Sequence, residues 1–151
     1  RQVLATDIEE AWSFFSSPVN LATITPPSLD FRIVESEHGD ELAEGLLINY
    51  RLRPLLGIPM SWQTEIAKVE KPHRFTDRQL KGPYARWEHT HTFREHPRGV
   101  LMTDEVVYQL PYGLIGNLAH RLLIKKRIEK IFEYRRLKLH QIFNRDEYCV
   151  N

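Results

Sequence analysis

Trp87-Glu88-His89-Thr90-His91-Thr92-Phe93 decides how this chain is read. Side chains on a β-strand point alternately to opposite faces. One face of this stretch therefore carries Trp87, His89, His91 and Phe93, and the other carries Glu88, Thr90 and Thr92. The aromatic residues at both ends mark the first face as the buried one. Two imidazoles thus point inward, about 7 Å apart along the strand at the usual rise per residue. The pattern predicts a strand of an antiparallel sheet with one covered face.

The same alternation extends in both directions. After a turn at Pro97-Arg98-Gly99, Val100 to Leu110 predicts the last strand, with Met102, Asp104, Val106 and Tyr108 inward. Arg74 to Leu80, ended by Gly82-Pro83, places Phe75, Asp77 and Gln79 inside. Upstream, Trp62, Thr64 and Ile66 alternate with Gln63, Glu65 and Ala67, and Leu46, Ile48, Tyr50 and Leu52 with Leu47, Asn49, Arg51 and Arg53. Between these two strands, Pro54 to Pro59 reads as a loop whose tip, Leu55-Leu56, is apolar. Phe31 to Glu35 reads as a further strand, with a turn at Gly39.

Ahead of the strands, Asp7 has the character of an N-cap. Ile8, Ala11, Trp12 and Phe15 follow at helical spacing, and Pro18 ends that helix. Asn20 to Ile24 predicts a second short helix, stopped by Pro26-Pro27. Val3-Leu4 is strand-like. The chain opens on Arg1 rather than a methionine, so part of a first strand is expected to be missing. From about Leu114 to Phe143 the period becomes helical: Ile124, Ile128, Ile131, Phe132, Leu139, Ile142 and Phe143 keep to one face, and Arg135 falls among them. The order of elements predicts an α+β fold, an antiparallel sheet with one face covered by helix.

The 151 residues suit one domain, 1–151, able to fold without metal or disulfide. A net charge of +1 argues against a general nucleic-acid binder. Cys149 is the only cysteine, which excludes an internal disulfide and fits a reducing compartment. Neither a membrane span nor a signal peptide is read from the sequence, so a cytoplasmic location is expected.

Segments along nearly the whole chain carry a family resemblance. They are Phe14-Phe-Ser-Ser-Pro-Val-Asn-Leu21 with Ile24-Thr-Pro26, Trp62-Gln-Thr-Glu-Ile66, Phe75-Thr-Asp-Arg-Gln79, Gly82-Pro-Tyr84, the Trp87–Phe93 stretch, Asp104-Glu-Val-Val-Tyr108 with Pro111, and Ile131-Phe-Glu-Tyr-Arg135. In this order they resemble the SRPBCC superfamily of START-like helix-grip proteins, and most closely its bacterial polyketide-cyclase-like subgroup, often labelled "cell division inhibitor". The resemblance implies a curved sheet of six to seven strands around a long C-terminal helix, two short helices after the first strand, and a cavity between sheet and helix. It also implies the binding of lipids, hormones or polyketides, with cyclisation or dehydration in some members. Some relatives resemble modules fused to nucleotide-sugar-epimerase-like domains.

The inferred interior holds an unusual number of polar groups: Tyr50, Thr64, Asp77, Gln79, His89, His91, Asp104, Tyr108 and Arg135. Burying them unpaired would cost several kcal/mol. They therefore satisfy one another or line a ligand cavity. With Trp62, Trp87 and Phe93 they form the candidate binding set; Gly113 and Gly116, flanking the start of the long helix, are candidate hinges for the cavity mouth, with Tyr112 and Leu114 as candidate gate residues.

The histidines read first as structural hydrogen-bonders, with ligand contact, metal coordination and acid–base catalysis as alternatives. A His-x-His pair on one strand face is a recurring metal geometry, and Asp77 or Asp104 would complete it. The pair alone supplies two ligands, so no metal or other cofactor is assigned. Arg135 either pairs with Asp77 or Asp104 or anchors a ligand carboxylate or phosphate.

The basic outer face of the long helix, Lys125, Lys126, Arg127, Lys130, Arg136 and Lys138, is a solvated face or a weak contact for an anionic membrane or protein partner. Three functions follow. The first is binding of a small amphipathic or lipid-like molecule. The second is a cyclase- or dehydratase-type enzyme using His89 or His91 with Asp77 or Asp104. The third is an interaction or regulatory module.

Overall fold

The stretch around the two histidines lies in β6 (Arg86–His96), within a seven-stranded antiparallel sheet. A computed structural model describes residues 1–36, 42–55, 57–111 and 118–144. Along the chain the elements are β1 (Gln2–Leu4), α1 (Ile8–Ser16), α2 (Pro18–Thr23), a short 3-10 turn (Pro27–Leu29), β2 (Arg32–Ser36), β3 (Leu47–Leu55), β4 (Ile58–Glu70), β5 (Arg74–Lys81), β6, β7 (Gly99–Gln109) and α3 (Leu118–Phe143). The strands lie in the order β1-β7-β6-β5-β4-β3-β2. This is the helix-grip fold: a sheet of consecutive hairpins with a long C-terminal helix and two short helices inserted after the first strand.

Local chemistry explains the main boundaries. The Asp7 carboxylate accepts from the Glu10 N–H at 2.8 Å and caps α1. Pro18, which lacks an N–H, begins α2 rather than interrupting α1. Gly99, in the β6–β7 turn, has φ +125, and a Cβ there would collide with the Leu4 carbonyl. Glycine at this point lets β1 close against β7 in the register Leu4↔Val100.

The segment expected as a loop over Pro54 to Pro59 is instead a tight hairpin. β3 runs to Leu55 and β4 resumes at Ile58, with Gly57 at φ +72. The prolines are tolerated because β2 pairs only with residues 48–51 of β3, and the β3–β4 register shifts between Leu52 and Leu55. Leu56, the Gly39 turn and the gate residues Tyr112 and Leu114 fall outside the described residues.

The concave face of the sheet, α1 and α3 enclose two apolar clusters. The larger joins Leu4, Trp12, Phe15, Phe75, Phe93, Val100, Met102 and Leu139. Trp12 packs edge-on to Phe75 at 5.8 Å and to Phe93 at 6.2 Å. The smaller joins Tyr84, Leu110, Ile124 and Ile128, with Trp62, Trp87, Tyr108 and Phe132 against it. The stripe read from the sequence of α3 is the one that is buried: Ile124, Ile128, Arg135 and Leu139 face in, and Leu122, Leu123 and Leu137 face out. No helix among the described residues is long and apolar enough to cross a membrane.

Candidate functional site

A polar belt lies between the two apolar clusters, which meet at Trp62. Each inner strand crosses it with one or two residues: β6 runs from Trp87 through His89 and His91 to Phe93, and β7 from Tyr108 to Asp104 to Met102. β5 contributes Asp77 beside Phe75, and β4 contributes Thr64 between Trp62 and Ile66. On α3, Arg135 sits between Phe132 and Leu139. The register brings these residues level, with Asp77 opposite His89 and His91 opposite Asp104. His89, His91, Thr64 and Arg135 are all buried.

The two imidazoles do not keep the strand spacing of about 7 Å. Their rings lean together to 3.9 Å between centroids. The cause is a pair of carboxylates that both rings bridge. On one side Asp104 Oδ1 lies 3.0 Å from His89 Nε2 and 2.9 Å from His91 Nδ1. On the other, Asp77 Oδ2 lies 3.6 Å from His89 Nδ1 and 3.4 Å from His91 Nε2. The His89–Asp104 contact is a hydrogen bond. His91 Nδ1 stands off the hydrogen-bonding direction, so its attraction to Asp104 is ionic rather than directional.

Phe75 stacks on His91 at 4.2 Å, and Phe132 meets His89 edge-on at 5.4 Å. Arg135 brings Nη1 to 3.8 Å from Asp104 Oδ1, and its Nε is buried with no hydrogen-bond partner among the described residues.

These contacts set the charges. Burial pushes the Asp104 carboxyl up, but the Arg135 guanidinium and the two imidazoles outweigh it and hold the group well below the usual carboxylate range. Burial and the neighbouring His91 lower His89, against the pull of Asp104 and Asp77. His91 is also penalised by burial, yet its closeness to both carboxylates wins and raises it. The belt thus pairs an ionised Asp104 with one imidazole biased to neutral and one biased to charged. Burial, with Asp77 nearby, raises the Tyr50 phenol far out of its ordinary range, so it is a neutral hydroxyl.

A cavity of about 190 Å³ opens on the Asp77 side of the belt. Its lining includes Tyr50, Trp62, Thr64, Asp77, Trp87, His89, His91 and Arg135 from the set expected in the sequence. The remaining four expected residues lie elsewhere. Phe93 is fully buried in the larger cluster. Tyr108 packs on Trp87 and Tyr84. Asp104 sits behind the histidines, in a separate crevice with Gln2 and Arg136.

Gln79 clamps the turn between β5 and β6: its Nε2 donates to the Tyr84 carbonyl at 2.7 Å, and the Tyr84 N–H donates to its Oε1 at 3.3 Å. The cavity has a second wall that sequence reasoning missed, made by Phe14, Phe15, Leu21 and Ile24 of the α1–α2 region, with Arg127 from α3. The helical spacing of Phe15 announced burial but not the gap it faces. Leu21, Thr25, Arg127 and Ile131 keep partial exposure, which places the opening between α2 and α3.

Solved structures share this architecture. Similar folds occur in the nucleoside-diphosphate sugar epimerase of Corynebacterium glutamicum (TM-score 0.61, 22% identity, 93% of this chain and 27% of that one). The AHSA1-like protein of Aeromonas hydrophila has a TM-score of 0.58 at 16% identity, over 92% of this chain and 88% of that one. Ginseng major latex-like protein 151 of Panax ginseng has a TM-score of 0.56 at 12% identity, over 90% and 93%. No family model and no curated protein matches the sequence. At these identities the likeness shows the fold, a helix-grip architecture like those of the AHSA1-like and latex-protein structures.

Proposed function

We propose that this chain binds a small amphipathic organic molecule in the cavity between sheet and α3. The observation that carries the reading is the division of the lining: aromatic and aliphatic walls on α1, α2 and β4, and a belt of Tyr50, Asp77, His89, His91 and Arg135 on one side. An apolar body would lie along Phe14, Leu21 and Trp62. Its polar or acidic group would meet the imidazoles and the Arg135 guanidinium, which suits a carboxylate. The volume is only a little above the ~150 Å³ of a cavity that takes benzene. A compact, single-ring ligand therefore fits better than a sterol. The motifs from Phe14 to Arg135 support placement in the polyketide-cyclase-like, "cell division inhibitor"-labelled bacterial subgroup.

Native mass spectrometry of the purified protein should show an organic adduct released by denaturation. Leu21→Trp, at the opening, should abolish the adduct while the far-UV spectrum is unchanged. An adduct retained by Leu21→Trp would contradict the reading.

One observation favours a second reading, an enzyme of the cyclase or dehydratase type. His89 is oriented by Asp104 at 3.0 Å and also lines the cavity, as a proton-moving group would. Turnover of a β-hydroxycarbonyl substrate that is lost in His89→Gln would support it. Binding without turnover would sink it.

A further inference from the structure

We infer that Asp77, His89 and His91 form a binding site for a divalent transition-metal ion, with Zn²⁺ the best match, whose open position faces the cavity. One ligand atom from each of the three residues lies within 4.8 Å of the other two. The separations are informative. Asp77 Oδ2 stands 3.6 Å from His89 Nδ1 and 3.4 Å from His91 Nε2. These are longer than a good hydrogen bond. They are close to the edge of a metal tetrahedron, about 3.3 Å for bonds of ~2.0–2.1 Å. A small inward movement of the Asp77 carboxylate, which keeps 18% exposure, would complete the three-ligand set.

The groups behind the imidazoles point the same way. Metal-bound histidines usually give their second nitrogen to a carboxylate, which fixes ring orientation and raises basicity. Here Asp104 Oδ1 accepts from His89 Nε2 at 3.0 Å, and the same oxygen lies 2.9 Å from His91 Nδ1 without the direction of a hydrogen bond. Arg135 Nη1 stands 3.8 Å from the same Asp104 oxygen. Stacking by Phe75 and the edge contact from Phe132 lock the ring planes.

Two histidines and one carboxylate with an open fourth position are the donor set of catalytic rather than structural zinc sites. The inference does not depend on the organic-ligand reading. It competes with proton transfer by the histidines, whose cavity-side nitrogens would be taken by the metal.

The test is a Co²⁺ titration of the full chain after chelator treatment, read by visible d–d absorption, with Zn²⁺ as competitor. The expected result is one equivalent of Co²⁺, displaced by Zn²⁺. Asp104→Asn should weaken binding about 10- to 100-fold. Asp77→Asn should weaken it by at least as much, and exposed His73→Gln should leave it unchanged. Near-UV circular dichroism checks that each variant is folded. Paramagnetic shifts of the His89 and His91 ring protons in the wild type report the same site without any substitution. Absence of a saturable d–d spectrum, equal affinity in Asp77→Asn, or paramagnetic shifts centred on other histidines would overturn the inference. No Co²⁺ binding by the wild-type chain, with the native organic adduct intact, would sink the metal site alone.

Discussion

Asp104→Ala tests whether the polar belt is held together from behind. The substitution removes the acceptor of the His89 hydrogen bond at 3.0 Å and the counter-charge of Arg135, whose side chain is only 9% exposed. A hydrogen bond to a charged group contributes about 1.5–3 kcal/mol. Removing one member of a buried ion pair costs about 3–5 kcal/mol, chiefly because the other charge is stranded. The expected loss is therefore about 3–5 kcal/mol out of a total of about 5–15.

At about 2–4 °C per kcal/mol for a chain of this size, Tm falls by about 6–20 °C. Arg135→Met should behave differently. Arg135 Nε has no hydrogen-bond partner among the described residues and Nη1 stops 3.8 Å from Oδ1, while Asp104 keeps both imidazoles. An apolar side chain of similar length should change stability by no more than about 1.5 kcal/mol.

In the double variant no lone guanidinium remains, so the combined cost should fall short of the sum by at least about 1 kcal/mol. Urea unfolding of metal-free protein, followed by far-UV circular dichroism, supplies all three numbers, provided the slopes agree. Additive effects, or an Arg135→Met cost equal to that of Asp104→Ala, would refute the assignment of Asp104 as the hub.

Acid stability should follow the same residue. A carboxyl depressed in the folded state contributes stability that is fully present above its unfolded value of about 3.9 and is lost as pH falls through the folded value. Asp104→Asn should flatten that part of the acid limb, and a limb identical to wild type would contradict it. Gln79→Ala should cost about 1–2 kcal/mol and expose the Tyr84 amide to hydrogen exchange without changing ligand binding, since the carboxamide holds only the turn. Gly99→Ala should detach β1 from β7, seen as loss of protection at the β1 amides, because the new Cβ meets the Leu4 carbonyl. Unchanged exchange at Leu4 would count against that geometry.

Much of the fold was legible because its periods are clean. The Trp87–Phe93 alternation and the Ile124–Leu139 stripe each fix a face without reference to anything else; the structure buries His89, His91 and Phe93 of the one and Ile124, Ile128, Arg135 and Leu139 of the other, and leaves Trp87, Ile131 and Phe132 half-buried. Where alternation was interrupted, legibility failed. Pro54 and Pro59 looked like loop residues because a proline cannot donate; a register shift and the short reach of β2 remove the need for a donor there. Gln79 is in phase with Asp77, but the β4–β5 register shifts beside it and the chain turns back at Gly82, so its carboxamide serves the turn.

For the site, the sequence indicated which side chains face inward, and the register then brought Asp77, His89, His91, Asp104 and Arg135 together. It did not indicate that Asp104 lies behind the imidazoles and Asp77 in front. That depends on which way the rings tilt, and 3.9 Å rather than strand spacing separates them. The wall from Phe14, Leu21 and Ile24 was hidden for a related reason: periodicity marks a buried face, not the space left between two buried faces.

The central claim is that the belt and the apolar walls receive one amphipathic molecule. Titration of the chain with phenylacetate, followed by methyl resonances of Ile24 and Ile66 and ring resonances of His89 and His91, tests it most directly. Saturable shifts at both the methyls and the imidazoles, absent in Leu21→Trp, are the predicted result. Shifts confined to surface residues such as His73 and Val107, or none at all, would contradict it.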